Sequence, residues 1–174
     1  NWYVQQRYID MLSPEPTKKF LSVTHEKYKE YVGEYFGKGI QAFFTDEPAL
    51  QGSYFNVSDR NRQVLDVPDP NVPVIEALNY SDGLFESFRS AYGYDLRVNL
   101  GYLYRDDGSS AARRVRMDFY MLTGELFRSN YLGQTAGWCE ENGVKSSGHL
   151  LLEETLYQNV WFAGNMIRLL GTMG

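Results

Sequence analysis

A single cysteine, Cys139, in 174 residues excludes an internal disulfide and any zinc site built on several thiolates. Within Gly-Trp-Cys-Glu-Glu it reads as a small buried hydrophobe. Histidine is nearly as scarce, with only His25 and His149. His25-Glu26 has no second histidine four residues on, so it is not a zincin helix. Basic residues are outnumbered 17 to 22, for a net charge of −5, and no basic stripe marks a nucleic-acid surface. Arg113, Arg114 and Arg116 cluster, but their spacing suits the solvated start of a helix. No apolar run approaches the roughly 20 residues of a membrane span. Missing too are a Gly-x-Gly-x-x-Gly turn, a phosphate loop, a Gly-x-Ser-x-Gly elbow, an internal repeat and a visible secretion signal. The chain starts at Asn1 without Met and stops at Met173-Gly174 after an apolar run, so it is expected to be a segment of a longer protein.

What is abundant is aromatic. Tyr, Phe and Trp number 14, 10 and 3, or 16% of the chain. Sugar C–H faces pack well on rings, so this excess suits carbohydrate binding; large cores and helix packing use the same residues. At 43% hydrophobic and 22% charged, one domain with a sizeable core is expected over 1–174.

Trp2 to Met11 predicts a strand through Tyr3, Val4, Tyr8 and Ile9. Ser13-Pro14-Glu15 then marks a helix start, and spacings of three and four predict a helix with one buried face over Lys18–Phe36, ended by Gly37 and Gly39. Ile40 to Thr45 has the length of a buried parallel strand. Long loops are expected at about 49–80 and 97–110. Between them lies a helix over Ser81–Tyr92, capped by Ser81 and stopped by Gly93. Ala111–Asn142 predicts a long helix that Gly124, Gly133 or Gly137 can bend, followed by a strand over Val144–Leu152 and a last helix from about Thr155 to Leu170. The alternation implies an α/β fold with about three parallel strands; a barrel and a doubly wound sheet share this order.

Two acidic sites follow the strand candidates, at the sheet edge where parallel α/β proteins bind ligands. They are Asp46-Glu47 before Pro48, and Glu153-Glu154 preceded by His149. If the second strand stays extended, Glu153 and His149 share a face. Glycosidic cleavage needs an acid for the leaving oxygen and a second carboxylate as base or nucleophile. The acid must stay protonated near neutral pH, and Phe43 and Phe44 can wall Glu47 with apolar surface. Pro48 favours an extended Glu47 at the strand end. Plainer readings stand beside these. Asp-Glu-Pro can cap a following loop, and Glu153-Glu154 can be the acidic first turn of the last helix. His149 can be a satisfied core histidine, and His25 reads as structural or solvent-facing. Asp106-Asp107-Gly108 lacks the other ligands of a calcium loop and reads as a turn.

Several runs together resemble glycoside hydrolase family 106, the α-L-rhamnosidase family. They are Tyr8-Ile9-Asp10-Met11-Leu12-Ser13-Pro14-Glu15, Thr24-His25-Glu26-Lys27-Tyr28, Phe43-Phe44-Thr45-Asp46-Glu47-Pro48, Tyr92-Gly93-Tyr94-Asp95-Leu96, Arg113-Arg114-Val115-Arg116, Trp138-Cys139-Glu140-Glu141-Asn142-Gly143 and Gly148-His149-Leu150 with Glu153-Glu154. The resemblance implies part of a (β/α)8 TIM barrel, from about its third strand to its fifth helix. It implies an inverting two-carboxylate glycosidase, with Glu47 as general acid and Glu153 as candidate base, unless a strand outside this chain supplies the base. Asp46, His149 and Glu154 would bind an oligosaccharide or glycoside substrate. Calcium near the substrate and a periplasmic or extracellular bacterial location are also implied; the calcium ligands match no residues here. The alternative is a non-catalytic carbohydrate-binding or structural α/β fragment.

Overall fold

The computed structural model describes residues 9–50, 78–105 and 107–174. Most of the strand expected at Trp2–Met11 and of the loop expected at 49–80 lies outside them. The order runs α1 (Pro14–Val23), α2 (His25–Val32), β1 (Ala42–Asp46), α3 (Leu84–Tyr92), α4 (Gly101–Tyr104), α5 (Ser110–Phe127), α6 (Gln134–Glu141), β2 (Lys145–His149), α7 (Leu156–Ala163) and α8 (Met166–Leu170). Short 3-10 turns span Gly33–Tyr35 and Arg97–Asn99, and a wider π turn spans Arg128–Gly133.

This order overturns the partial barrel with about three parallel strands. Among the described residues there is one sheet of two strands, β1 beside β2, parallel, with Ala42 opposite Lys145 and Asp46 opposite His149. Residues 9–12 do not continue a strand: Asp10 Oδ1 accepts from the Leu12 N–H at 3.0 Å and closes a turn there. The physical reason lies in what the helices bury. Leu84 and Phe88 of α3, Leu96, Leu103 of α4, and Val115, Phe119 and Leu122 of α5 form a core of helix against helix. Their apolar stripes are spent on one another rather than on a sheet.

Several local expectations also shift. The helix over Lys18–Phe36 is two, broken at Thr24, and Tyr28, Tyr31 and Tyr35, expected on its buried face, are exposed. The loop expected at 97–110 holds a 3-10 turn and α4, with α5 beginning at Ser110. Ser109 caps α5 by accepting the Ala112 N–H at 3.0 Å. Ser81 does not cap α3, whose N-cap is Gly83; its hydroxyl donates to Asp10 Oδ2 at 2.7 Å. The last helix is two, α7 and α8, turning at Gly164.

The long helical run from α5 to α6 is unbroken but widens at the π turn, a feature that often serves a site. There Asn130 Nδ2 donates to the Leu12 carbonyl at 2.6 Å, and the buried Tyr131 hydroxyl meets the Thr45 hydroxyl at 3.1 Å. The widened turn thus anchors the underside of β1. A second core gathers Met11, Leu12, Leu50, Phe127, Leu132, Leu150 and Leu169, beyond the ends of both strands.

Candidate functional site

β1 alternates. Phe43 and Thr45 turn to the helices, while Ala42, Phe44 and Asp46 face outward. Phe43 stacks on His25 at 4.7 Å and packs edge-on against Tyr28, Phe36 and Trp138. The apolar run therefore codes a strand with one open face, not one buried on both sides. The expected wall of Phe43 and Phe44 beside Glu47 is divided: Phe43 belongs to the core and Phe44 is 64% exposed.

The parallel register puts Asp46 and His149 side by side on the open face. His149 Nε2 lies 2.9 Å from Asp46 Oδ1, and the His149 ring leans toward Phe44 with centroids 5.7 Å apart. Two residues from separate expected strands are thus brought into direct contact.

Glu47 follows at the end of β1, exposed, with φ of +49°. Pro48 alone favours an extended residue before it, and that expectation fails here. The chain must dive: Pro48, Ala49 and Leu50 are buried, and the Leu50 N–H donates to the Phe162 carbonyl at 3.0 Å. A left-handed Glu47 makes the corner and leaves its side chain at the surface, a conformation costing of order 1–3 kcal/mol for a non-glycine residue.

β2 ends at His149, three residues short of the expected Leu152. Glu153 therefore does not share a strand face with His149. It lies in the turn leaving β2, where its Oε2 accepts the Leu150 N–H at 3.2 Å and its carbonyl accepts from Asn159 Nδ2 at 3.3 Å. Glu154 is exposed in the same turn. Neither residue is in the first turn of α7, which is capped by the following Thr155 through the Gln158 N–H. Leu152 in this turn has φ of +54°. Among the described residues, the non-glycine positions with left-handed φ are Glu47 and Leu152, one in each turn leaving the same edge of the sheet. Sequence reasoning missed this, since neither Glu-Pro nor Leu-Glu signals a left-handed residue.

His25 and Cys139 lie on the helix side. His25 is 7% exposed and ringed by Phe20, Phe43 and Trp138. Burial pushes its pKa below the ordinary value, against a smaller upward pull from Glu26. Burial pushes the Cys139 thiol up, as suits an inert core residue. Among the described residues, no three His, Cys, Asp or Glu side chains gather to hold a metal ion. No described helix is long and apolar enough to cross a membrane.

No family model matches the chain, and no curated protein matches it in sequence. In structure it is similar to a rhamnosidase from Novosphingobium sp. PP1Y, at 20% identity and a TM-score of 0.58 over 95% of this chain. The likeness is one of fold. The chain spans 13% of the length of that rhamnosidase.

Proposed function

We propose that this chain carries part of the active site of a glycoside hydrolase, α-L-rhamnosidase-like, acting by a two-carboxylate inverting mechanism. One observation carries the reading most: the left-handed non-glycine residues among the described ones, Glu47 and Leu152, fall in the turns that carry Glu47 and Glu153 at one end of the sheet. Backbone strain of this kind clusters where a side chain must be aimed. The fold likeness to a rhamnosidase supports the same class. In this reading Glu47 protonates the glycosidic oxygen as it leaves. Glu153 takes a proton from the water that attacks the anomeric carbon from the opposite face, which requires roughly 6.5–9.5 Å between the carboxyl groups. Asp46, His149 and Glu154 hydrogen-bond the sugar hydroxyls, with Asp46 holding His149 in place.

A second reading, carbohydrate binding without catalysis, is favoured by one observation. Glu47 is exposed and Phe43 is turned away from it, so the described residues do not enclose it as a general acid requires.

Assay of the full-length protein on aryl α-L-rhamnosides and other aryl glycosides separates the two. Hydrolysis is expected, with Glu153→Gln losing about 10²–10⁴-fold in kcat and Glu47→Gln losing as much on glycosides with poor leaving groups. Ordinary turnover of a glycoside with a poor leaving group by Glu47→Gln contradicts the acid assignment, and ordinary turnover by Glu153→Gln places the base elsewhere. No turnover by the unaltered protein, with retained glycoside binding, establishes the second reading.

A further inference from the structure

We infer that Phe44 is the platform on which a pyranose ring of the substrate stacks, an inference that rests on the glycosidase reading above. The two phenylalanines of β1 have opposite fates. Phe43 is enclosed by four rings, whereas Phe44, its neighbour, stays 64% exposed at the middle of the open sheet face. A single exposed hydrophobe is ordinary. What sets Phe44 apart is its surroundings. The register places Ser147 directly beside it, and Asp46 and His149 one step further toward the strand ends. The His149 and Phe44 ring centroids are 5.7 Å apart and His149 Nε2 lies 2.9 Å from Asp46 Oδ1, so the imidazole and the carboxylate border the ring together. Glu47 comes next along the chain.

This is one apolar surface bordered on one side by a hydroxyl, a carboxylate and an imidazole. A pyranose is its chemical counterpart, with an apolar C–H face and hydroxyls around its edge. A purely aliphatic side chain would leave the Asp46–His149 pair without matching groups. A sugar stacked on Phe44 lies next to the strand end that presents Glu47, so the platform would position the bond to be cleaved.

The test uses the full-length protein with Phe44→Ala and Phe44→Tyr. KM and kcat are measured on the aryl glycoside it hydrolyses, binding of methyl α-L-rhamnopyranoside and methyl β-D-glucopyranoside is followed by saturation-transfer NMR, and melting temperature serves as the control for folding. Phe44→Ala is expected to raise KM or Kd roughly tenfold, as the loss of one stacked ring implies. Its kcat should change less than its KM, and Phe44→Tyr should stay close to the parent. Binding by Phe44→Ala within twofold of the parent overturns the platform while leaving the role of Glu47 standing. A large fall in melting temperature for Phe44→Ala that Phe44→Tyr does not restore also overturns it, because the ring would then be core. No glycoside binding by the unaltered protein overturns it together with the reading on which it rests.

Discussion

His25 carries a burial cost that can be read in solution. Its ring is stacked on Phe43 and set edge-on to Trp138 and Phe20, and its Nδ1 is buried without a hydrogen-bond partner among the described residues. The fold therefore favours neutral imidazole, while the unfolded chain protonates near the ordinary value of about 6.5. Between the lowered folded pKa and that value the unfolded state binds more protons, so stability rises with pH across the window. The contribution is complete above about pH 6.5 and is lost as pH falls below it. Scanning calorimetry from pH 7.5 to 5.5 should show a falling melting temperature, and His25→Phe should flatten that fall. An equal fall in both proteins would remove His25 as its source. The local pattern Val-Thr-His-Glu-Lys left open whether His25 is structural or solvent-facing, because Phe43 and Trp138 reach it from remote parts of the chain. Glu47 shows the same limit: its position after a strand was legible, but its left-handed φ was not, because the corner is imposed by Leu50 bonding to α7.

At the scale of elements, β1 was legible and β2 only in part. Phe43-Phe44-Thr45 carries strand propensity, whereas Lys-Ser-Ser-Gly-His carries little and depends on its partner. Gly148 is the point of closest approach: a Cβ there would lie 2.2 Å from the Thr45 carbonyl oxygen. Gly148→Ala must push the strands apart and disturb the Asp46–His149 pair one residue on. Overpacking of this kind costs about 1–3 kcal/mol, so the urea midpoint should drop accordingly. An unchanged midpoint would mean that the strands do not approach as described. Gly124 teaches a related lesson. It was expected as a candidate bend, yet α5 runs regularly through it; a Cβ there would meet the Ala163 carbonyl at 2.8 Å and the adjoining Gly164 Cα at 2.9 Å. A glycine inside a helical pattern marks a kink or a close neighbour, and only the packed structure tells which.

Over the whole molecule, β1, part of β2 and several helices could be read from the sequence pattern, but the architecture could not. Alternating strand and helix patterns suggested helices covering a sheet. Phe88 and Phe119 instead build a helix-only core, and two strands suffice to bring Asp46 to His149. A small parallel sheet carries acidic turns at one end, within a fold similar to a segment of a rhamnosidase. In the proposed function Glu47 is a proton donor to a leaving group. Donation matters most when the leaving group is a poor one. The most direct measurement therefore compares Glu47→Gln with the unaltered full-length protein on a methyl glycoside and on the 2,4-dinitrophenyl glycoside of the same sugar. The account predicts a loss of about 10²–10⁴-fold on the methyl glycoside and a far smaller loss on the activated one. Equal losses on both substrates, or undiminished hydrolysis of the methyl glycoside, would contradict it.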